Sequence, residues 1–410
     1  MLDGVRAMAC FIVVFGHYFS IQPNNSSTVL FNFTGYFGLQ NFGVVLFFCI
    51  SSFLLSYLFV KEYDARGFNN VTYFFIRRTL RIWPLYFSFL IAINLAVRFK
   101  AFQPDVNANA TEYLQRFNIL LALYLPNWIY ATSVATDSVP PNTSFINILW
   151  SLGVEEQIYF LFPFVASFLL VKKYRGALSL AIIGCALISR LFYIAICTLK
   201  LNGGMYYSTF TYLDVYLIAG LFGGLYARDN SKFQKLTRNS FLSVMVVVLL
   251  FYFMHLFSEN AVAPYRAISA IIYPVLALLT SFCILWVLHF ERSFFSKLLS
   301  LNPVRAYGVL SYSIYVWHVL AFLFLNTLCS HLGLMAPAAL EQRPSLAFIY
   351  FLLYLSFTFS VACASYGLIE RPFLRIKERY SVSGSANFFS WQKYFFVSLS
   401  LSVFLGLLLK

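Results

Sequence analysis

Arg6 and His17 lie eleven residues apart in the run LDGVRAMACFIVVFGHYF. At 3.6 residues per turn that spacing returns to nearly the same helix face, about 16 Å further along the axis. Ionisable side chains are costly in hydrocarbon and usually face a protein interior or a water-filled path. A membrane-crossing helix here would carry a cation near one surface and an imidazole deep inside, on one stripe. A plainer reading also stands, in which His17 only bonds a carbonyl of a neighbouring helix.

Four more ionisable groups fall inside apolar runs: Glu155 and Glu156, Asp214, and His318. Counted at about 1.5 Å per residue from the ends of their runs, they and His17 share one slab of the bilayer, between its centre and its outer half. Carboxylates beside imidazoles form a general acid/base set, the carboxylate fixing the imidazole's tautomer. Each group has a structural alternative. Asp214 can pair with Arg190 or another cation, His318 can bond a carbonyl, and only one of the two adjacent glutamates need face the bundle. A cluster of another kind sits in FFIRRTLRIWPLYF, where Arg77 and Arg81 are four apart and Arg78 and Arg81 three apart. A helix there presents a basic face suited to bidentate phosphate binding, or to lipid head groups.

The elements holding these groups are membrane helices. Of 410 residues, 60% are hydrophobic, 20% aromatic and 11% charged, far more apolar surface than a soluble core could hide, and apolar runs near 20 residues recur end to end. The expected fold is therefore all-α, a polytopic membrane bundle. The net charge of +14 does not indicate nucleic acid, because the basic residues lie in short clusters between apolar runs, as positive-inside topology requires. Seven cysteines lie mostly within apolar runs, without metal-ligand spacing, and read as packing residues; neither a disulfide framework nor a metal is expected. The first apolar run lacks a small-residue cleavage pattern and carries His17, so it reads as mature helix.

Spans are expected at 5–21, 37–60, 76–98, 147–171, 177–197, 207–226, 239–257, 267–289, 308–328, 346–368 and 391–409. With a cytoplasmic N-terminus the basic clusters at 61–81, 172–175, 228–238, 292–305 and 371–379 all fall inside, which favours that orientation. The run at 117–130 is too short for an ordinary span and reads as a re-entrant or interfacial piece, followed by a loop at Pro140 and Pro141. The linker at 380–390 divides a core, 1–380, from an accessory C-terminal helix in 381–410.

Taken in order, Arg6 and His17, Arg78-x-x-Arg81, GVVLFFCISSFLL at 43–55, WSLGVEEQIYFLFP at 150–163, TYLDVYLIAG at 211–220, LSYSIYVWH at 310–318 and IERP at 369–372 resemble the membrane acyltransferase family 3. Two positions depart from the pattern: Val45 stands where relatives often have aspartate, and Ser52 where they often have glycine. The resemblance implies a ten-helix core, an eleventh helix, and transfer of an acyl group, acetyl by default, from cytoplasmic acyl-coenzyme A to a hydroxyl of a carbohydrate-type acceptor on the far side. Related members often carry an extracytoplasmic hydrolase-like domain after the eleventh helix. None follows Lys410, so the chain is expected to act alone, to work with a separate extracytoplasmic partner, or to have been cut there.

On this reading the coenzyme A phosphates bind Arg78 and Arg81 with help from Arg6 or Arg77. His17 acts as base or transient acyl carrier beside Glu155 or Glu156, with His318 and Asp214 as further candidates. Trp150, Tyr315 and Trp317 line the acceptor side, where aromatic faces suit sugar rings. The rival reading is a proton-coupled transporter or glycan-lipid exporter, in which the same groups relay protons. Asn-x-Ser/Thr matches at Asn24, Asn25, Asn32, Asn109 and Asn142 are short enough to arise by chance, and a bacterial inner membrane is the expected location.

Overall fold

A computed structural model describes residues 1–21, 38–102, 104–136, 144–170, 172–198, 205–228, 231–260, 270–332, 344–380 and 391–407. The Pro140, Pro141 loop, the linker at 381–390 and the matches at Asn24, Asn25, Asn32 and Asn142 lie outside the described residues.

Ten helices among the described residues are long and apolar enough to cross a membrane. They are α1 (Leu2–Ile21), α2 (Leu39–Arg66), α3 (Val71–Arg98), α6 (Trp150–Leu170), α7 (Lys172–Thr198), α8 (Leu213–Arg228), α9 (Ser240–Asn260), α10 (Ile272–His289), α11 (Ser311–His331) and α12 (Pro344–Ser365). The expected helical bundle is present. α12 continues through a π-helical turn, Tyr366–Glu370, into α13 (Arg371–Glu378), and an eleventh, shorter helix, α14 (Trp391–Leu407), packs on α12.

The run at 117–130 forms parts of two helices, α4 (Pro104–Ala122) and α5 (Pro126–Thr136). Tyr124, with φ of 57°, makes the break between them. The break is held firmly: the Tyr86 and Tyr124 rings stack at 4.1 Å, Tyr86 OH donates to the Leu121 carbonyl at 2.7 Å, and Gln157 Nε2 donates to the Tyr124 carbonyl at 2.9 Å. Asn127, Thr209 and Trp128 complete the network around Gln157. Irregular backbone is thus tolerated here because protein side chains satisfy it.

α1 is gripped on two sides, and this fixes Arg6 and His17. A Cβ added to Gly308 would stand 1.7 Å from the Asp3 carbonyl oxygen, and one added to Gly43 would stand 2.5 Å from Val13 Cγ2. Only glycine permits such close approach between membrane helices. The departures from the family pattern are absorbed locally: Val45 is fully buried in the apolar core, and Ser52 Oγ donates to the Tyr216 carbonyl at 2.5 Å. α14 is fastened to α12 by hydroxyls, Ser356 to Ser402 at 2.9 Å and Ser360 to Ser398 at 2.8 Å.

Candidate active site

The Asn70 side chain caps α3 by accepting the Tyr73 N–H at 2.9 Å, and the basic face of the helix begins about two turns in. From that face Arg78 and Arg81 meet Arg6 of α1 in a single cavity of about 90 Å³. Its other walls include Phe47 and Ser51 of α2, Ser151, Glu155 and Tyr159 of α6, and Ser311, Tyr312 and Tyr315 of α11. Arg78 lies 5.8 Å from the Phe74 ring centroid and 5.9 Å from that of Tyr159, within cation–π range. Among the described residues no carboxylate lies in ion-pair range of Arg78 or Arg81, and Arg6 has only a loose pair with Asp3 at 3.7 Å.

Glu155 is the carboxylate of this cavity. Its Oε1 accepts from Ser51 Oγ at 2.9 Å and from Tyr159 OH at 3.0 Å. Three guanidinium groups against one carboxylate leave the cavity cationic, suited to a ligand with several negative charges.

Adjacent residues turn elsewhere, because each step along a helix rotates by about 100°. Glu156 Oε2 accepts from Trp83 Nε1 at 3.1 Å. Arg77 donates to Glu62 Oε2 at 2.8 Å and to the Tyr380 carbonyl at 2.9 Å. Asp214 forms a buried ion pair with Arg190, the alternative weighed for it from sequence. Trp150 is buried among the rings of Phe48, Tyr206, Tyr207 and Tyr212. Trp317 Nε1 donates to Ser365 Oγ at 2.9 Å beside a separate apolar cleft. None of these five lines the arginine cavity, whereas Tyr315 does.

His17 and His318, 301 residues apart, form a pair: His318 Nε2 and His17 Nδ1 are 3.2 Å apart. His17 Nδ1 is also 3.1 Å from the Val13 carbonyl, and His318 Nδ1 is 2.6 Å from the Tyr315 carbonyl. A carbonyl only accepts, so with both rings neutral each Nδ1 carries its hydrogen. His318 Nε2 then accepts from His17, and the lone pair of His17 stands on Nε2. The pair does not line the cavity; Tyr315 joins the two, its ring on the cavity and its carbonyl on His318. The Tyr315 hydroxyl is 2.5 Å from Ser151 Oγ.

Ser51, Ser151, Tyr159, Tyr312 and Glu370 were not singled out from the sequence, although each lies in a quoted motif. Glu370 is buried and accepts from Ser313 Oγ. The available signal was a hydroxyl one helical turn, or one neighbouring helix, away from an ionisable group.

A helical membrane bundle holding a cationic cavity beside an imidazole pair is the class these features define. A family model described as an acyltransferase domain matches residues 1–367. The chain therefore belongs to the membrane acyltransferase family 3, and it is an integral multi-pass membrane protein. A protein of Staphylococcus aureus (strain COL), provisionally named an O-acetyltransferase, is 28% identical over 386 residues, covering 91% of this chain and 56% of that protein. The O-acetyltransferase OatA of Staphylococcus aureus (strain NCTC 8325 / PS 47) is 26% identical over 350 residues, covering 80% of this chain and 51% of OatA. The chain thus spans about half the length of the curated relatives it matches. No solved structure matches it.

Proposed function

We propose that the chain is a membrane O-acyltransferase that moves an acyl group, acetyl in the first instance, from acyl-coenzyme A to a hydroxyl of a carbohydrate-type acceptor across a bacterial inner membrane. In this proposal the N-terminus is cytoplasmic and the donor enters from that side. The observation that carries it is the cavity in which Arg6, Arg78 and Arg81 converge without a matching set of carboxylates. Such a site suits the phosphates of coenzyme A. The names of the relatives support acetyl as the group transferred.

The chemistry follows from the imidazole pair. With its hydrogen on Nδ1, the neutral His17 carries a lone pair on Nε2, which takes the proton of the acceptor hydroxyl as the oxygen attacks the thioester carbonyl. The C–O bond forms, the C–S bond breaks, and the leaving thiolate recovers a proton from the His17 imidazolium. Val13 and His318 hold that imidazolium through Nδ1–H. Glu155, fixed by Ser51 and Tyr159, balances the arginine cluster and orients the donor. Tyr315 stands between the cavity and the imidazole pair, lining the cavity and bonding His318 through its carbonyl.

The test uses purified protein with acetyl-coenzyme A labelled in the acetyl group. The wild type consumes thioester and transfers label to a carbohydrate acceptor. His17→Ala consumes thioester about 10²–10⁴-fold more slowly while still binding coenzyme A, and Arg78→Gln or Arg81→Gln weakens donor binding. Normal turnover by His17→Ala would overturn the mechanism.

A further inference from the structure

An apolar groove lies apart from the arginine cavity. This groove of about 250 Å³ runs between α6 and α8 with α2 as its floor, along Val60, Ile158, Ala166, Leu217 and Gly224. It opens sideways onto the outer face of the bundle, where its rim residues Leu161 and Leu225 are 48% and 49% exposed. Arg228 stands at its end and, among the described residues, is the one charged residue lining it. Its lining runs from Ile158 to Leu169 on α6, about 16 Å of helix, and from Leu213 to Arg228 on α8, about 22 Å, enough to hold the roughly 15 Å hydrocarbon depth of a single leaflet.

The geometry points to a binding site for an anionic glycerophospholipid, one acyl chain in the groove and its phosphate on Arg228. Two observations beyond the apolar lining select this occupant. The cation sits at the end of a leaflet-length groove, where a head group would lie. Arg228 is also available, since its pair with Asp64 is long, 3.9 Å, with the two side chains 39% and 44% exposed. Exposed pairs of that kind contribute little and exchange readily for a phosphate. The side chain of Lys61, which follows groove residue Val60, is exposed and adds positive charge on the same side of the bundle. The groove and the arginine cavity share α2 and α6 as walls: Ser52 and Ile158 face the groove, and Ser51 and Tyr159 the cavity. Bound lipid would therefore brace the two helices that carry Ser51 and Glu155.

This inference is independent of acyl transfer, and its test is a binding measurement. Full-length protein is equilibrated with mixed phosphatidylglycerol and phosphatidylcholine micelles, and retained lipid is counted by native mass spectrometry. The wild type should keep one phosphatidylglycerol in preference to phosphatidylcholine by about fivefold, the effect of one basic residue near a membrane surface. Arg228→Gln should lose that preference while still retaining lipid. Gly224→Leu should lose retained lipid itself. A Cβ at Gly224 meets only Val60 Cγ2, at 3.6 Å, so the backbone accommodates a side chain that then fills the groove. Ala166→Phe blocks the opposite wall and serves if Gly224→Leu does not fold. Equal retention of both lipids by the wild type, or unchanged retention by Gly224→Leu and Ala166→Phe, overturns the proposal. So does displacement of phosphatidylglycerol by a polyprenyl phosphate at equal concentration.

Discussion

Arg190, which is buried, and the half-buried Arg78 and Arg81 occupy two regions of this bundle, and the contrast between them separates structural from functional charge. Arg190 is 1% exposed, and its acceptors are the Ala270 and Thr211 carbonyls and Asp214, with the Tyr273 ring 5.0 Å from its guanidinium carbon. It clamps α7, α8 and the segment preceding α10 together. Arg78 and Arg81 share a cavity with Glu155, whose Oε1 is already engaged by two hydroxyls. A cation satisfied within the protein is a strut, whereas cations gathered in a cavity without enough counter-charge are a binding site.

Breaking the strut should have the largest effect on folding. Asp214→Ala leaves a buried guanidinium without its carboxylate, which is expected to cost about 3–5 kcal/mol and to appear as a fall in thermal unfolding temperature in detergent. Next, His17→Ala should lower turnover by about 10²–10⁴-fold, the usual worth of a general base, with the unfolding temperature nearly unchanged. Smaller again, Arg78→Gln and Arg81→Gln should each weaken donor binding by about tenfold, as befits one charge-assisted hydrogen bond of roughly 1.5 kcal/mol. Titration of coenzyme A by calorimetry reads this directly, and the affinity should fall as salt rises. The finest test is Arg77→Gln beside Arg78→Gln. Because Arg77 is engaged by Glu62 and Tyr380, its loss should leave donor affinity within about twofold, the scale of surface substitutions; a loss equal to that of Arg78 would erase the distinction between strut and site.

How much of this was legible in the sequence follows from the same physics. Apolar runs and basic clusters state the number and order of the membrane helices, because the bilayer imposes both. The rotation of each helix is another matter. In a bundle surrounded by lipid both the inner and the outer face are apolar, so periodicity does not say whether Arg77 or Arg78, or Glu155 or Glu156, faces the cavity. The sequence offered each pair and left the choice open. The meeting of His17 with His318 depends on how α1 and α11 pack, which no local spacing encodes. The run at 117–130 was legible as irregular but not as two helices. Its break rests on Tyr86 and Gln157, which come from α3 and α6.

The hydroxyl rungs between α12 and α14 repeat once per turn on both helices, at Ser356 and Ser360 and at Ser398 and Ser402. A displacement of α14 by one turn, about 5.4 Å, would still bring one hydroxyl opposite another. The contact resembles a ratchet more than a weld: it tolerates discrete steps of the last helix, because between them each hydroxyl keeps its bond to a carbonyl of its own helix, Ser356 to Leu353, Ser360 to Ser356, Ser398 to Tyr394 and Ser402 to Ser398.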